Sequence, residues 1–268
     1  MAYTTIDDPS AHFQSLRWSG NGGGQRDLTF GGNSDMQPDA CMWFKENGVQ
    51  LRLLTDSSRS WESGNHELAL DSAIQEGDTN AVNTGQYGWL AGNSSVTNGL
   101  RAYIGGYANS SNINYYAASW KVNGGTTASN SDGNITSTVQ VNTTAGQSIV
   151  NWTGNENASA TVGHGLDQAP ETVIYKRRNN NTYNWTTHLL QLGLVGSNTY
   201  VGYQNTTNSW EQTTLPAPTA TVLSPKNGAP QNSGEMVAYC FHSVTGYSKI
   251  GKYTGNGNTS GTSVIPVP

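Results

Sequence analysis

Charged residues are scarce in this chain, at 12% of the sequence, and the net charge is −5. Lys and Arg together number only 13. Proteins that bind nucleic acid draw much of their affinity from clustered Lys and Arg, and anionic membrane surfaces also select basic segments. The composition therefore argues against nucleic acid and against membrane surfaces as partners.

Long apolar runs are also missing from the sequence. No stretch of about 18 apolar residues occurs, which is the length expected of a membrane-spanning helix. Residues 1–8 lack the basic and apolar segments of a signal peptide. We therefore expect a soluble chain with no export signal and no membrane insertion.

Cysteine is limited to Cys41 and Cys240, which is too few for a disulfide framework. Each lies in an apolar run, the first at Ala40–Phe44 and the second at Val237–Phe241. This setting favours two buried free thiols, and a single disulfide is the alternative.

Glycine is abundant, at 32 residues, and Asn, Ser and Thr fill much of the remaining chain. Short apolar or alternating runs, such as Gln50–Leu54 and Thr138–Val141, are separated by Gly, Asn and Ser every 8–12 residues or so. We find no long amphipathic helix. The pattern predicts an all-β fold of the sandwich type, and 268 residues suffice for one large β domain or two smaller ones.

One motif occurs three times, and in it an aromatic residue is followed by a hydroxyl residue and then by Gly-Asn. The copies are Trp18-Ser19-Gly20-Asn21, Trp152-Thr153-Gly154-Asn155 and Tyr253-Thr254-Gly255-Asn256. Gly and Asn tolerate the positive φ of a tight turn. Each copy therefore predicts a strand that runs into a turn.

Longer segments follow the first two copies in the same order. Pro38-Asp39 and its apolar run are repeated as Pro170-Glu171, and Tyr115–Trp120 is repeated as Met236–Phe241. Similarity over roughly 100 residues is too long for a solenoid unit and predicts internally duplicated β modules. The predicted organisation is a leader, a first module, a connector with strands, a second module and a partial third repeat, at residues 1–12, 13–122, 123–146, 147–245 and 246–268.

Several of these segments resemble a family of virion proteins that is widespread in marine bacteriophages and described as tail-fibre-like or structural. The resemblance covers most of the chain and implies concanavalin-like or jelly-roll β-sandwich modules on the outside of a virion, with no catalytic motif. Asn155-Glu156 departs from the family's usual Asn-Gly. The resembling segments are residues 2–10, the Gly-Asn turns, Pro38-Asp39, Leu54-Thr55-Asp56-Ser57-Ser58-Arg59, Gly163-His164-Gly165-Leu166 and Tyr239-Cys240-Phe241.

Candidate catalytic sets are weak in this sequence. Sandwich glycosidases hold two carboxylates on a strand that faces a cleft, whereas the single Glu-x-Asp here, Glu76-Gly77-Asp78, predicts a solvated loop. The five histidines show no metal-ligand spacing. His164 lies between two glycines and predicts a turn histidine bonded to the local backbone. We therefore expect no enzyme activity, metal or cofactor, and a polysaccharide depolymerase is the least favoured alternative.

Two polar segments have a binding interpretation beside a structural one. Residues Asn130–Asn134 place oxygen ligands at alternate positions, as a calcium site requires, but Asx-turns explain the same residues. Lys176-Arg177-Arg178 predicts a strand end that enters a solvated turn, and contact with an acidic polysaccharide is the alternative.

The feature most compatible with recognition is a surplus of aromatic rings beside amides and hydroxyls. Indole faces stack on the C–H surfaces of sugars while Asn and Gln bond hydroxyls, although sandwich cores and subunit interfaces use the same residues. The candidate glycan or interface contacts are Trp61, Tyr87, Trp89, Tyr183, Trp185, Tyr203 and Trp210.

Together these features predict a non-enzymatic virion structural protein, a tail-fibre, appendage or spike subunit that acts in assembly and host adhesion on the particle exterior. A carbohydrate-binding receptor-recognition module and a capsid decoration protein are the alternatives. The expected partners are other virion proteins, further copies of the chain in a trimer, and host surface polysaccharide. We expect local function in the segments that differ between the copies, residues 57–112 and 177–232.

Overall fold

The computed structural model describes residues 5–47, 52–59, 66–78, 90–91, 95–102, 108–190, 198–225 and 233–253. Its regular structure is almost entirely antiparallel β-sheet, with two short 3-10 helices at Pro9–Ala11 and Ser57–Arg59. Neither helix in these segments is long and apolar enough to cross a membrane. The prediction of an all-β sandwich fold is confirmed.

The first module is built from a large sheet and a small sheet. The large sheet has the strand order β1-β8-β3-β4-β5, and the small sheet has the order β2-β7-β6. The strands are β1 Phe13–Ser19, β2 Arg26–Leu28, β3 Ala40–Lys45, β4 Leu53–Asp56, β5 Leu68–Ala69, β6 Leu90–Ala91, β7 Leu100–Ala102 and β8 Asn114–Trp120.

The second module has the same two parts and a longer large sheet, in the order β16-β15-β14-β13-β18-β11-β10-β9, with β12 and β17 forming the small sheet. Strands β9 and β10 lie in the predicted connector and extend this sheet beyond β11. The strands are β9 Ala128–Asn130, β10 Ser137–Asn142, β11 Gln147–Asn155, β12 Val162–Gly163, β13 Thr172–Arg177, β14 Thr186–Leu189, β15 Asn198–Tyr203, β16 Glu211–Pro216, β17 Val222–Leu223 and β18 Ser233–Phe241.

The two large sheets share one framework. In each, the first long strand of the module pairs with the last, and the last pairs with the strand that follows the proline, giving β1-β8-β3 and β11-β18-β13. The register agrees too, because Trp18 lies opposite Tyr115 while their repeated counterparts, Trp152 and Met236, lie opposite each other. The repeats found in the sequence thus correspond strand by strand, and duplication as their origin stays a prediction.

The acidic residue after each proline has the same role in both modules. The carboxylate of Asp39 accepts a hydrogen bond from the backbone N–H of Val122 at 2.6 Å, directly after β8. The carboxylate of Glu171 accepts one from the backbone N–H of Ser243 at 2.8 Å, just after β18. Each acid therefore ties the chain that leaves the last strand to the start of the second long strand.

The modules stack through their large sheets, so that four layers follow one another: small sheet, large sheet, large sheet, small sheet. Each large sheet is consequently buried on both faces, which explains the near-continuous apolar runs of β3 and β18. The core between the two large sheets contains Ala40, Leu54, Leu68, Val122, Ile149, Trp185, Val237 and Tyr239. The outer cores include Trp18, Leu28, Trp43, Leu100 and Tyr115 in the first module, and Val150, Trp152, Val162, Tyr175 and Leu223 in the second.

Both cysteines are free thiols and fully buried, which confirms the favoured prediction. Cys41 lies in the outer core of the first module and Cys240 in that of the second. Burial raises the pKa of each thiol to about 12. The single disulfide, the alternative interpretation, is not formed.

The first two copies of the Gly-Asn motif are strands that run into turns, as predicted. The left-handed turn residue is Gly22 in the first copy, with φ 68°, and Glu156 in the second, with φ 61°. In the third copy the prediction of a strand before the turn is wrong, because residues 251–253 have no regular structure and Tyr253 is 70% exposed. The rest of that copy, residues 254–268 of the predicted partial third repeat, lies outside the described residues.

Candidate functional site

The aromatic candidates fall into three groups in the structure. Trp61, Tyr87 and Trp89 lie outside the described residues. Tyr183, Tyr203 and Trp210 lie at one end of the second large sheet, and Trp185 lies in the interior between the large sheets. Three of the seven candidates therefore come from neighbouring segments at one end of this sheet.

Strand pairing and amide hydrogen bonds bring these segments together. Strands β14 and β15 pair with Thr186 opposite Tyr203, so the chain before β14 lies beside the chain after β15. The side chain of Asn205 donates to the side-chain oxygen of Asn184 at 2.8 Å and accepts from the backbone N–H of Trp185 at 2.9 Å. The Tyr183 loop and the Tyr203 turn thus form one continuous edge.

Trp210 is the most exposed ring of this edge, at 42%. One face of its indole lies on the backbone of β15 at Gly202, where an added Cβ would approach the ring to 2.9 Å. On the opposite face of β15 and β16, the Tyr203 hydroxyl donates to the Glu211 carboxylate at 2.7 Å, because side chains alternate along a strand and Glu211 pairs with Val201. Because Gly202 has no side chain, the indole lies flat and presents its other face outward. We call Gln204 and Trp210 the indole surface.

Tyr183 does not present a bare ring. The Arg177 guanidinium lies over it, 5.2 Å from the ring centroid, and Arg177 also donates to the side chains of Asn179 and Ser233. Tyr183 therefore belongs to a packed strand end beside the indole surface.

The prediction that Trp185 contacts a glycan or a partner is wrong. Its side chain is fully buried between the two large sheets. The indole N–H donates to the backbone oxygen of Ala69 in the first module at 2.6 Å, and the ring lies 6.4 Å from that of Tyr239. Trp185 is an anchor that joins the second module to the first.

The prediction of a solvated loop at Glu76 is also wrong. Gly77 has the positive φ of a turn, at 62°, but the side chain of Glu76 is only 9% exposed. One carboxylate oxygen of Glu76 accepts from Arg59 of its own module, and the other accepts from Arg178 of the second module at 2.7 Å. Glu76 therefore bridges the two modules.

A second carboxylate completes this buried cluster. Asp56, at the end of β4, accepts from Arg59 Nε at 2.6 Å and from the Tyr239 hydroxyl at 2.5 Å, and the side chains of Asp56 and Arg59 are both fully buried. Arg59 also donates to the backbone oxygen of His66 at 2.6 Å. We call Asp56, Arg59, Glu76, Arg178 and Tyr239 the charged lock.

The protonation of the lock follows from its geometry. Burial opposes the charge on Arg59, but Asp56 and Glu76 outweigh it and raise the pKa of the guanidinium, which stays charged. Burial also raises the pKa of the Tyr239 hydroxyl well above its ordinary value, so Tyr239 stays a neutral donor. The carboxylates of Asp56 and Glu76 thus both accept hydrogen bonds from the one buried guanidinium of Arg59. Within the described residues, this is a set that holds modules together.

Lys176 corrects the prediction of a solvated turn at Lys176-Arg177-Arg178. Lys176 is fully buried, and its ammonium donates to the backbone oxygens of Ala73 at 2.9 Å and Tyr183 at 2.6 Å. Burial lowers the pKa of this lysine to about 8. Arg178 belongs to the charged lock. Two of the three basic side chains, those of Lys176 and Arg178, therefore point to the first module, where protein acceptors take the place of water.

His164 and Asn130 both make hydrogen bonds to the backbone of their own turns. His164 is fully buried; its Nδ1 accepts from the backbone N–H of Leu166 at 3.2 Å, and its Nε2 lies 3.1 Å from the backbone oxygen of Thr219. Asn130 accepts from the backbone N–H of Asp132 at 3.0 Å, which is an Asx-turn. Among the described residues, no group of His, Cys, Asp or Glu side chains is arranged to hold a metal ion.

The sequence analysis missed Arg59 and Tyr239 as residues that join the modules. The available signal was the Asp56-x-x-Arg59 spacing after an apolar strand and a tyrosine within the apolar run of β18. Their partners lie far away in the sequence, since Arg59 and Tyr239 are 180 residues apart. Such a cluster becomes visible only when the two sheets are stacked.

Comparisons with known proteins give one result. A search of curated proteins and a search of solved structures each found no match. A family model matches residues 8–265, which is nearly the whole chain and includes both modules. The protein therefore belongs to the family described as a domain of unknown function, DUF7483.

Proposed function

We propose that the protein is a non-enzymatic structural protein of a virion, a tail-fibre, appendage or spike subunit that acts in assembly and host adhesion. The observation that carries this proposal is the stacking of two modules with one framework into a single four-layer unit. The buried ion pairs of the charged lock join the modules. The resemblance to tail-fibre-like phage proteins supplies the setting.

The stacking suits a protein that transmits load or holds a surface in place. Breaking a buried ion pair by removing one partner costs about 3–5 kcal/mol, because an uncompensated charge stays behind. The lock therefore opposes any sliding of one large sheet over the other. A unit of this kind holds the indole surface in a fixed orientation relative to the first module.

The proposal includes assembly with further copies of the chain, as a trimer, and with other virion proteins on the particle exterior. Two measurements test it together: mass spectrometry of purified particles from the source of the chain, and the mass of the recombinant protein by light scattering. We expect the chain among the particle proteins and an oligomer in solution. A monomer that is also absent from the particles would refute the proposal.

A second candidate function is carbohydrate binding for receptor recognition, and the indole surface favours it. Trp210 presents one face of its ring, while the side chain of Gln204 beside it is exposed and polar. An indole face stacks on a pyranose ring, and neighbouring amides and carboxylates bond its hydroxyls. The arrangement suits a neutral sugar, because the indole surface offers an aromatic face and an amide.

A glycan array with the assembled protein tests this candidate. We expect Trp210→Ala to abolish binding, with little effect on stability because the ring is on the surface. Tyr253→Ala is the matched control, since it removes a ring that is 70% exposed and lies outside the indole surface. Binding that survives Trp210→Ala, or no binding by the wild-type protein, would exclude a glycan site here.

A further inference from the structure

The two large sheets differ at the edge next to the first strand of each module. In the second module, β10 pairs with the outer side of β11 along Thr138–Asn142. In the first module, no described residue pairs with the outer side of β1, the strand that corresponds to β11. The same framework therefore has a covered edge in one module and an open edge in the other.

The register identifies the backbone groups that this open edge offers. The backbone N–H of Gly20 donates to Ile113, and that of Lys121 donates to His12, so the even-numbered residues of this strand bond with β8. The odd-numbered residues Phe13, Ser15 and Arg17 must therefore direct their backbone N–H and C=O groups outward. Their counterparts in β11 are the residues that face β10.

One end of the edge is already occupied. Arg26 donates to the backbone oxygen of Ser19 at 2.9 Å. The open stretch is therefore Phe13–Arg17, five residues with Ser15 at the centre. A stretch with an odd number of residues can pair antiparallel with a copy of itself so that the central residues of the two copies lie opposite each other.

The usual protection of an edge strand is weak here. Natural proteins keep edges apart with charged side chains, prolines or bulges. Phe13–Arg17 contains no proline. Its one charged residue, Arg17, forms an ion pair with Glu46, which accepts a hydrogen bond from Arg17 Nε at 2.8 Å. Phe13 adds an apolar ring that is 36% exposed.

From this geometry we propose that β1 pairs with β1 of a second copy of the chain, antiparallel, about a two-fold axis at Ser15. In this register every outward N–H and C=O of Phe13, Ser15 and Arg17 meets a partner in the other copy. Phe13 of each copy lies opposite Arg17 of the other, where the ring covers the aliphatic part of the arginine side chain. The large sheet of the first module in one copy then continues into the same sheet of the other copy.

Neighbouring registers are less favourable. An axis at Arg17 would place the two arginines directly opposite each other, and like charges in that position destabilise a strand pair. An axis at Phe13 would leave Arg17 opposite Pro9, which has no N–H to donate and lies in the 3-10 helix. Only the axis at Ser15 uses the whole open stretch. The inference does not depend on a virion location, and it makes the contact two-fold, whereas a trimer requires a different, head-to-tail contact.

Cross-linking tests the register directly. In a hydrogen-bonded antiparallel pair, opposite Cα atoms are about 5.5 Å apart, within reach of a disulfide. We therefore expect Ser15→Cys to give a covalent dimer under mild oxidation. Ser19→Cys is the matched control, because the two Ser19 Cα atoms would be roughly 25 Å apart at about 3.3 Å per residue. Cys41 and Cys240 do not interfere because both are buried.

A non-covalent test uses the outward direction of the Ser15 N–H. Ser15→Pro removes that donor without removing a bond to β8, so the chain should still fold, while Ser15→Thr keeps the donor and the strand propensity. By analytical ultracentrifugation we expect a dimer for the wild type and Ser15→Thr, and at least a tenfold weaker dimer for Ser15→Pro, with folding checked by circular dichroism. A monomeric or purely trimeric wild type, or equal cross-linking at Ser15 and Ser19, would overturn the proposal.

Discussion

The two modules agree in framework and differ in what surrounds it. Both place the last strand between the two long strands that open the module, with the same register and with an acid that holds the chain after the last strand. Among the described residues, only the second module has a strand that covers the edge of its opening strand, and only the second has the indole surface. The framework follows from segments that repeat in the sequence, whereas the differences follow from segments that do not, and function is to be sought in the latter.

The contact between the modules is also asymmetric. The first module contributes Asp56, Arg59 and Glu76, all from the segment that follows β3. The second contributes Tyr239 from its central strand and Arg178 from the end of β13. The two modules thus contribute different side chains to the contact between them. Because these side chains match in one arrangement, the contact selects a single way of stacking the modules.

The largest expected effect comes from breaking this asymmetric contact. Arg59→Leu leaves the carboxylates of Asp56 and Glu76 buried without their shared partner. We expect the free energy of unfolding to fall by about 3–5 kcal/mol, measured by urea unfolding of the whole chain.

Arg17→Leu is the control for that experiment. Arg17 also pairs with a glutamate, but its side chain is 65% exposed. A surface pair contributes about 0–1 kcal/mol, so we expect little change. Equal losses for the two arginine variants would show that burial does not determine the strength of the lock.

The second largest effect concerns Lys176 of β13, which occupies the position in the second module that corresponds to Phe44 of β3 in the first. The folded-state pKa of Lys176 is lowered to about 8 from 10.5, so between these values the unfolded chain binds more protons and stability rises with pH. Relative to Lys176→Met, the wild type should gain up to about 3 kcal/mol across this window, at about 1.4 kcal/mol per pKa unit.

Unfolding curves at pH 7 and pH 10.5 measure that gain. Taking the difference between wild type and variant removes the contribution of tyrosines and cysteines, which titrate in both. A difference that stays constant with pH would mean that Lys176 is solvated in the folded protein.

The smallest expected effect compares the two acids that hold the modules closed. Asp39 is 2% exposed and accepts from two backbone N–H groups, those of Val122 and Gly124. Asp39→Ala leaves buried donors without an acceptor, which costs about 1–3 kcal/mol. Glu171 is half-buried and lies where water can replace it, so we expect about half that loss for Glu171→Ala by thermal unfolding. A larger loss at Glu171 would reverse the proposed order.

The framework could be predicted because its signals are local. The apolar runs of β3 and β18, the proline before β3 and the Gly-Asn turns each lie within a few residues, and their repetition identified the corresponding strands. The stacking of the modules left no such signal. Lys176 and Glu76 carry charged side chains typical of a surface, and Trp185 lies in a polar, Asn-rich segment. Each is buried because its partner comes from the other module, about 100 residues away.

The aromatic site shows the same division. Trp185 and Trp210 both lie in polar, Asn-rich segments, so the sequence does not distinguish them. The structure does, because Trp185 precedes a strand that packs against the first module, whereas Trp210 lies over Gly202 at the end of the sheet. Which tryptophan is available for a ligand therefore depends on which strand end the other module covers.

Differential scanning calorimetry of the whole chain tests the central claim most directly, namely that the charged lock and the core between the large sheets make one folding unit from two modules. The account predicts a single transition, in which the calorimetric enthalpy equals the van't Hoff enthalpy. Two separate transitions, or a calorimetric enthalpy about twice the van't Hoff value, would mean that the modules unfold independently and would contradict the account.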